Sequence, residues 1–271
     1  MEKEITVWRI FAYFIIYSIL GFVIETIFAF LMYGVIESRQ SFLLGPFCSI
    51  YGIGAVIMIL LLRYFNKNNY TLFLGGYLIG SIVEYIISWL GELILHTRWW
   101  DYSYKFLNIN GRICLTYSVF WGILAIFLIK TINPKVDKFI DWLGSKINKN
   151  AAKVIVTVII VFMAYDAVIS SLAQNWVMTK VVVENNLDVR NKDIFEENYK
   201  KVYSNENEKK FVDKYWTIQR VLYAYPNLTT YLQDGTKLYI KTLYPEIHPY
   251  LYRNKPDPIM ESIYQEQGET Q

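Results

Sequence analysis

Four acidic residues occur inside stretches that are otherwise almost entirely apolar: Glu25, Glu84, Glu92 and Asp166. A charged side chain at the centre of a bilayer costs at least about 2.5–3.5 kcal/mol, so such a group faces protein or water, pairs, or becomes neutral. Carboxylates in this position bind a solute or ion or carry protons. They also suit acid–base chemistry on a lipid, or they pair with arginines and hold a helix bundle together.

The sharpest pattern surrounds Glu84. Small and polar residues recur there at spacings of three and four: Gly80, Ser81, Glu84, Ser88, and Gly91 or Glu92. Residues at these spacings share one face of a helix, and Gly76 with Gly80 forms a GxxxG pair that allows a neighbouring helix to approach closely. The pattern predicts a helix with one polar face and two carboxylates about two turns apart.

Long apolar stretches predict a membrane protein. A bilayer core of about 30 Å requires roughly 20 apolar residues in a helix, and five stretches meet or approach this length: 10–32, 42–62, 71–95, 113–129 and 154–178. The second is interrupted by Gly45-Pro46, which indicates either a broken helix lining a site or an ordinary helix that begins at Pro46. The predicted fold class is all-α, a polytopic transmembrane helix bundle of five helices, with six as the alternative.

The charges divide the chain near Met178. Residues 1–179 hold 14 Lys/Arg and 10 Asp/Glu, whereas residues 180–271 hold 13 and 14. We therefore expect a transmembrane domain over 1–179 and a polar, partly helical tail over 180–271. Residues 191–223 are predicted to form two short helices, and the last dozen or so residues are predicted to be disordered.

Lysine and arginine residues set the expected orientation. With five spans, ten of them fall on the N-terminal side and four on the other side, among residues 1–153. Six lysines lie between 130 and 153, where apolar residues at helical spacing predict a short amphipathic interfacial helix that starts at Asn133-Pro134. The bias predicts a multi-pass protein of the cell membrane with a cytoplasmic N-terminus and an extracellular tail. A re-entrant second stretch or a sixth span would move the tail to the cytoplasm.

Two segments, 39–54 and 96–112, are too rich in glycine, polar or aromatic residues to be simple connectors. Both fall at the outer face of the predicted bundle, where they are placed to close over the carboxylates. Arg98 and Arg112 could then neutralise those carboxylates or hold an anionic ligand, although aromatic residues are also typical of a membrane interface. The candidate substrate-binding residues are Glu25, Arg39, Glu84, Glu92, Arg98, Trp100, Asp101, Asn108 and Arg112.

Other chemistry has little support in the sequence. Cys48 and Cys114 lack metal-ligand spacing and are expected to be buried thiols, with a disulfide as the alternative. His96 and His248 are far apart, so neither a metal nor a cofactor is expected. The sequence has no GxxxxGK[ST], GxSxG or HExxH motif, and the nearly balanced charge of the tail argues against nucleic acid as a partner.

Several motifs occur in an order that resembles a known family. They are Gly21 with Glu25, 44–54, Glu84-Tyr85, 99–103, 111–115 and Trp121-Gly122. Together they resemble the bacterial family described as "putative ABC-transporter type IV", the CmpB type, which is found largely in Firmicutes. The resemblance is closest over residues 8–132, and it implies a multi-spanning membrane protein with a transport role.

The favoured interpretation is a permease-like transporter component that binds or moves a small solute, ion or lipid through a cavity lined by carboxylates and arginines. One alternative is a membrane-embedded enzyme acting on a lipid or isoprenoid, and another is a sensor or assembly protein that signals through the tail. A non-enzymatic role is favoured. The expected partners are the lipid bilayer, a separate ATPase subunit docked on residues 133–149, and a second copy of the chain.

Overall fold

The apolar stretches form helices. The computed structural model describes residues 5–95, 100–257 and 259–260. Its helices in chain order are α1 (Val7–Tyr33), α2 (Ser49–Leu62), α3 (Asn69–Leu95), α4 (Leu115–Phe127), α5 (Asn133–Lys146), α6 (Lys149–Glu184), α7 (Lys192–Ser204), α8 (Glu206–Tyr215) and α9 (Ile218–Ala224). Within the described residues, four helices have the length and composition to cross a membrane: α1, α3, α6, and α4 continued through α5. The predicted all-α membrane bundle is confirmed.

The second apolar stretch forms a shorter helix than the one predicted over 42–62. α2 begins at Ser49, so the alternative of a helix that begins at Pro46 is wrong. The backbone N–H of Cys48 donates to the carbonyl of Ser18 on α1 at 2.8 Å, so this donor is satisfied outside a helix. The residues before Ser49 therefore follow an irregular path, as the alternative of a broken segment requires.

The fourth span and the amphipathic helix are continuous. α4 passes through a π-helical turn, Leu128–Ile132, directly into α5. Pro134 has no N–H to donate to the residue four positions earlier, and the wider turn that precedes it accommodates this loss. The predicted start at Asn133-Pro134 is confirmed, but the helix is joined to the span instead of being separate from it.

The chain divides into two compact units. The first comprises Met1–Val23, Gly45–Leu90 and Trp100–Asp166, and the second comprises Ile24–Leu44, Gly91–Trp99 and Ala167–Gln271. Helices α1, α3 and α6 contribute to both units. The core of the first unit includes the buried side chains of Met58, Leu62, Leu72, Ala125 and Val136. The domain boundary at residue 179 stays a prediction.

The second unit holds the polar tail in a folded form. Three helices, α7, α8 and α9, occupy the part of the tail where two were predicted. Two short antiparallel pairs follow: β2 (Thr229–Tyr231) with β3 (Lys237–Tyr239), and β1 (Val35–Ile36) with β4 (Tyr252–Arg253). The core joins the end of α6 to the tail through the buried residues Val181, Val182, Val221, Leu222 and Ile240. The predicted disordered end, 261–271, lies outside the described residues.

Candidate functional site

The glycine pair on α3 packs directly against α4. A Cβ atom added at Gly76 would lie 2.2 Å from the Cβ of Ala125, and one added at Gly80 would lie 2.6 Å from the Cβ of Trp121. Contacts this short leave no room for a side chain at either of these two positions of α3. The close helix approach predicted from the GxxxG spacing is confirmed.

Hydroxyl groups continue this interface toward the carboxylate. The Ser81 hydroxyl donates to the carbonyl of Tyr77 at 2.6 Å and lies 2.7 Å from the hydroxyl oxygen of Ser118 on α4. Both serines are buried. The polar face of α3 is therefore turned into the first unit, where its groups find partners on α4.

Glu84 is the buried acid at the centre of the site, with 5% of its surface exposed. The hydroxyl of Tyr102 donates to its Oε1 at 3.0 Å, and the indole N–H of Trp121 donates to its Oε2 at 3.0 Å. Each carboxylate oxygen therefore has a donor, one from the loop before α4 and one from α4 itself. A small void of about 10 Å³ adjoins Glu84 and is lined in part by Gly54 and Gly80.

Tyr102 is held in place by its own surroundings. Its ring stacks on that of Tyr117 with centroids 4.5 Å apart. Burial, followed by the charge of Glu84 and the hydrogen bond to it, raises the pKa of Tyr102 above its usual range. The hydroxyl therefore stays protonated near neutral pH and remains a donor to Glu84.

Arg112 is also buried in the first unit. Its guanidinium donates to the hydroxyl of Ser88 on α3 at 3.2 Å and lies 5.7 Å from the centre of the Tyr85 ring. Its backbone carbonyl accepts the indole N–H of Trp100 at 3.0 Å. Arg112 and Trp100, both predicted site residues, therefore connect the loop to the polar face of α3.

Asp101 and Asn108 shape the loop that carries Tyr102. Oδ1 of Asp101 accepts from the N–H and the hydroxyl of Ser103 at 3.0 and 2.6 Å. The side chain of Asn108 donates to the carbonyls of Ser103 and Lys105 and accepts from the N–H of Gly111. Gly111 has a φ of +66°, and a Cβ there would lie 2.5 Å from Oδ1 of Asp101. These contacts fix the path of the loop over Glu84.

The other predicted site residues fall elsewhere. Glu25, Arg39 and Glu92 belong to the second unit, and Glu92 is half-buried near the end of α3. Arg98 lies outside the described residues. The structure therefore brings together Glu84, Trp100, Asp101, Asn108 and Arg112 in one unit.

Arg39 belongs to a buried group of charges in the second unit. Its Nη2 lies 2.9 Å from Oε1 of Glu37, which also accepts from Asn227 at 3.1 Å. Arg253 lies 3.6 Å from Glu37 and 3.3 Å from Asp257. The pairing of β1 with β4 brings Glu37 and Arg253 together, so this role of Arg39 depends on contacts between distant parts of the sequence.

Asp257 extends the same group of charges. Lys241 lies 2.7 Å from its carboxylate. Burial by itself would raise the pKa of Asp257, but the hydrogen bond and charge of Lys241 and the charge of Arg253 lower it below the usual range. Asp257 is therefore ionised at neutral pH and pairs with two cations.

Sequence reasoning missed the two donors to Glu84. Tyr102 and Trp121 are in the family-like motifs but were not predicted to be site residues. A buried acid needs donors, and a hydroxyl and an indole in the neighbouring motifs were the available signal.

Cys48 and Cys114 are both buried free thiols, so the prediction of buried thiols is confirmed. No group of three metal-ligating residues occurs within residues 5–95, 100–257 and 259–260.

The comparison with known families decides the class of the protein. The family model described as "Putative ABC-transporter type IV", ABC_trans_CmpB, matches residues 12–171. The chain belongs to this family. The match covers α2 to α5, most of α1 and α6, and the whole Glu84 site, and it makes the chain a membrane transporter component. No curated protein and no solved structure matches the chain.

Proposed function

We propose that the chain is the permease-like component of a transporter and that it binds or moves a small solute, ion or lipid at Glu84. One observation carries this proposal: a buried carboxylate lies on the small-residue face of a spanning helix and is covered by Tyr102 of the adjoining loop. Intramembrane acids of this kind mark pathways for substrates, ions or protons. The family match supports the same class of function.

The geometry favours a closed form of the site. The void beside Glu84, about 10 Å³, is no larger than the space that one water molecule needs. A larger ligand would reach Glu84 only after Tyr102 moved away, which breaks its hydrogen bond and its stacking on Tyr117. We infer that the loop 100–114 acts as the cap of the site.

The remaining candidate residues take different roles in this proposal. Arg112 and Trp100 anchor the cap to α3, and Asp101 with Asn108 keeps its shape. Glu25, Arg39, Glu92 and Arg98 remain proposed substrate-binding residues.

We propose α5 as the docking surface for a separate ATPase subunit. Phe139 and Trp142 on this helix are exposed, and their rings stack with centroids 5.9 Å apart. Arg9 of α1 donates to Asp137 of α5 at 2.9 Å, which holds the helix against the bundle. An apolar pair on a fixed basic helix suits a partner that must transmit a movement to the spanning helices.

We propose that the N-terminus is cytoplasmic and that the tail is extracellular. Arg9 near the start of α1 contacts Asp137 of α5, and Lys153 near the start of α6 lies 5.8 Å from the ring of Trp8. The starts of α1, α5 and α6 therefore share a face, which supports an even number of crossings from α1 to α4. In this proposal α2 is the fourth crossing, since together with the 3-10 turn that extends it to Phe65 it is about 25 Å long.

The orientation is tested with single cysteines in a variant without Cys48 and Cys114. Lys146→Cys at the end of α5 and Lys210→Cys on α8 both place the thiol at an exposed position. A membrane-impermeant maleimide added to intact cells should label Lys210→Cys and leave Lys146→Cys unlabelled until the cells are opened. The opposite result would place the lysine-rich face outside.

The function is tested by comparing cells that contain the wild-type protein, Glu84→Gln or no protein. Mass spectrometry of the cells and of the medium should reveal a compound whose distribution changes only with the wild-type protein, while its total amount stays constant. A changed total together with a new product would indicate the enzyme instead. Tyr102→Phe retains the stacked ring but removes the hydrogen bond, so it should increase the rate of movement.

A further inference from the structure

A second cavity, separate from the Glu84 site, lies within the second unit. Its volume is about 710 Å³, within the range of roughly 300–1,000 Å³ that small-molecule sites occupy. It is bounded by the end of α3, by α6, α7 and α8, and by Trp216. Its apolar lining consists of Ile94, Leu172, Trp176, Val202, Phe211, Val212 and Trp216. It shares no residue with the Glu84 site.

The walls of this cavity are fixed by aromatic stacking and by charges. Trp176 on α6 stacks with Tyr199 and Tyr203 on α7, at centroid distances of 6.0 and 5.8 Å. The hydroxyl of Tyr203 donates to Asp213 on α8 at 2.9 Å, and Lys180 on α6 lies 3.1 Å from the same carboxylate. The cavity is therefore formed before any ligand enters.

One donor in the lining lacks an acceptor. The indole nitrogen of Trp176 is buried and has no hydrogen-bond partner among the described residues. Buried donors are almost always paired, by protein, water or a ligand. Because this nitrogen is buried, a ligand oxygen in the cavity reaches it only after the indole turns toward the cavity.

The lining of the cavity includes side chains of two helices that are long and apolar enough to cross a membrane. Ile94 on α3 is 60% exposed and Leu172 on α6 is 49% exposed. Exposed apolar residues at the end of a spanning stretch are covered by acyl chains in a bilayer. An acyl chain that follows these two side chains enters the cavity along its apolar edge.

We propose that this cavity binds one acyl chain of a diacyl glycerophospholipid, with an ester oxygen of the lipid accepting from Trp176 once the indole has turned toward the cavity. Lys201 and Glu208 in the lining carry one charge of each sign, which matches the phosphate and the amine of a zwitterionic headgroup. The proposal goes beyond transport at Glu84 and does not depend on it. It assigns the tail a role in holding lipid beside the spanning helices.

The test uses the full chain in nanodiscs of phosphatidylcholine that contain a small fraction of the same lipid with a diazirine in one acyl chain. Illumination followed by peptide mapping should label residues in 198–216, which lie on α7, α8 and the segment after them. These helices are polar and lie outside the spanning stretches. Their labelling by an acyl chain therefore requires that the chain enters the cavity.

Two variants and one matched control make the result specific. Val202→Trp fills the cavity from α7 and should abolish labelling of 198–216. Trp176→Phe removes the donor and part of the ring, and it should weaken retention of the lipid by at least about two- to tenfold, the effect of losing one hydrogen bond. Val168→Trp changes an exposed residue of α6 outside the lining and should have no effect.

The proposal is overturned by either of two results. The wild-type protein could show no label in 198–216, or Val202→Trp could retain the label while eluting as a folded monodisperse species. If Val202→Trp fails to fold, the decision passes to Trp176→Phe, where unchanged retention would overturn the assignment of the ester to Trp176.

Discussion

Two replacements of Glu84 separate the contribution of its charge from the contribution of its acceptor oxygens. In Glu84→Leu, the indole N–H of Trp121 and the hydroxyl of Tyr102 both lose their acceptor. An unsatisfied buried donor costs about 1–3 kcal/mol, so the two together should lower the free energy of unfolding by about 2–6 kcal/mol. At roughly 2–4 °C per kcal/mol for a chain of this size, the melting temperature should fall by roughly 4–24 °C.

Glu84→Gln should cost far less. The amide oxygen still accepts from Trp121, and the amide NH₂ donates to Tyr102, because a tyrosine oxygen can accept as well as donate. We expect a loss within about 1 kcal/mol, similar to that of an ordinary conservative substitution. The variant therefore keeps the fold and loses only the negative charge, which makes it the informative one for transport.

The assay is thermal unfolding of the purified protein in detergent, combined with a double-mutant cycle. Trp121→Phe removes the orphaned donor, so the double variant Glu84→Leu/Trp121→Phe should be more stable than the sum of the two single effects predicts. The coupling between neighbours of this kind is about 0.5–3 kcal/mol. Equal melting temperatures for Glu84→Leu and Glu84→Gln, together with additive single effects, would refute the reasoning.

Three further predictions concern packing and charge. Gly76→Ala should destabilise the protein by about 1–3 kcal/mol, because its Cβ overlaps Ala125 on α4. Gly54→Ala should not, because a Cβ at this position meets nothing within 4 Å. Thermal unfolding of the two variants compares them directly. Glu37→Gln removes the carboxylate that pairs with Arg39 and leaves Arg253 with Asp257 alone. It should cost about 3–5 kcal/mol, whereas the exposed Glu206→Gln should change stability by no more than about 0.5 kcal/mol. The lowered pKa of Asp257 means that its contribution to stability is complete above the usual aspartate pKa of about 3.9 and is lost as the pH falls from there through its folded-state pKa. The melting temperature, plotted against pH over that range, should change less for Asp257→Asn than for the wild-type protein. Identical plots for the two proteins would contradict the pairing of Asp257 with Lys241 and Arg253.

Much of the architecture could be predicted because it depends on local periodicity. The spacing of Gly76, Gly80 and Ser81 predicts a helix face that must be buried, and α4 covers that face. The start of α5 follows from Asn133-Pro134, since proline is tolerated in the first turn of a helix. The start of α2 stayed open between two alternatives, because hydropathy does not report that Cys48 donates to α1.

The partners of the charged groups could not be predicted in the same way. Binding of a ligand by Arg39 stays a prediction, but its pairing with Glu37, in a group completed by Arg253 more than 200 residues away in the chain, had no signal in the sequence. The three helices of the tail were predicted as two, because the short break between α7 and α8 has no proline or glycine. The cavity beside Trp176 exists only because α7 and α8 pack on α6.

The sequence by itself determined that this protein crosses a membrane, that it carries acids there, and that one face of α3 is polar. These follow from apolar length and from the cost of a buried charge, which are properties of neighbouring residues. The tertiary structure decided that Tyr102 and Trp121 satisfy Glu84 and that the tail folds onto α6. Such pairings depend on the path of the chain between distant segments, which no local pattern records.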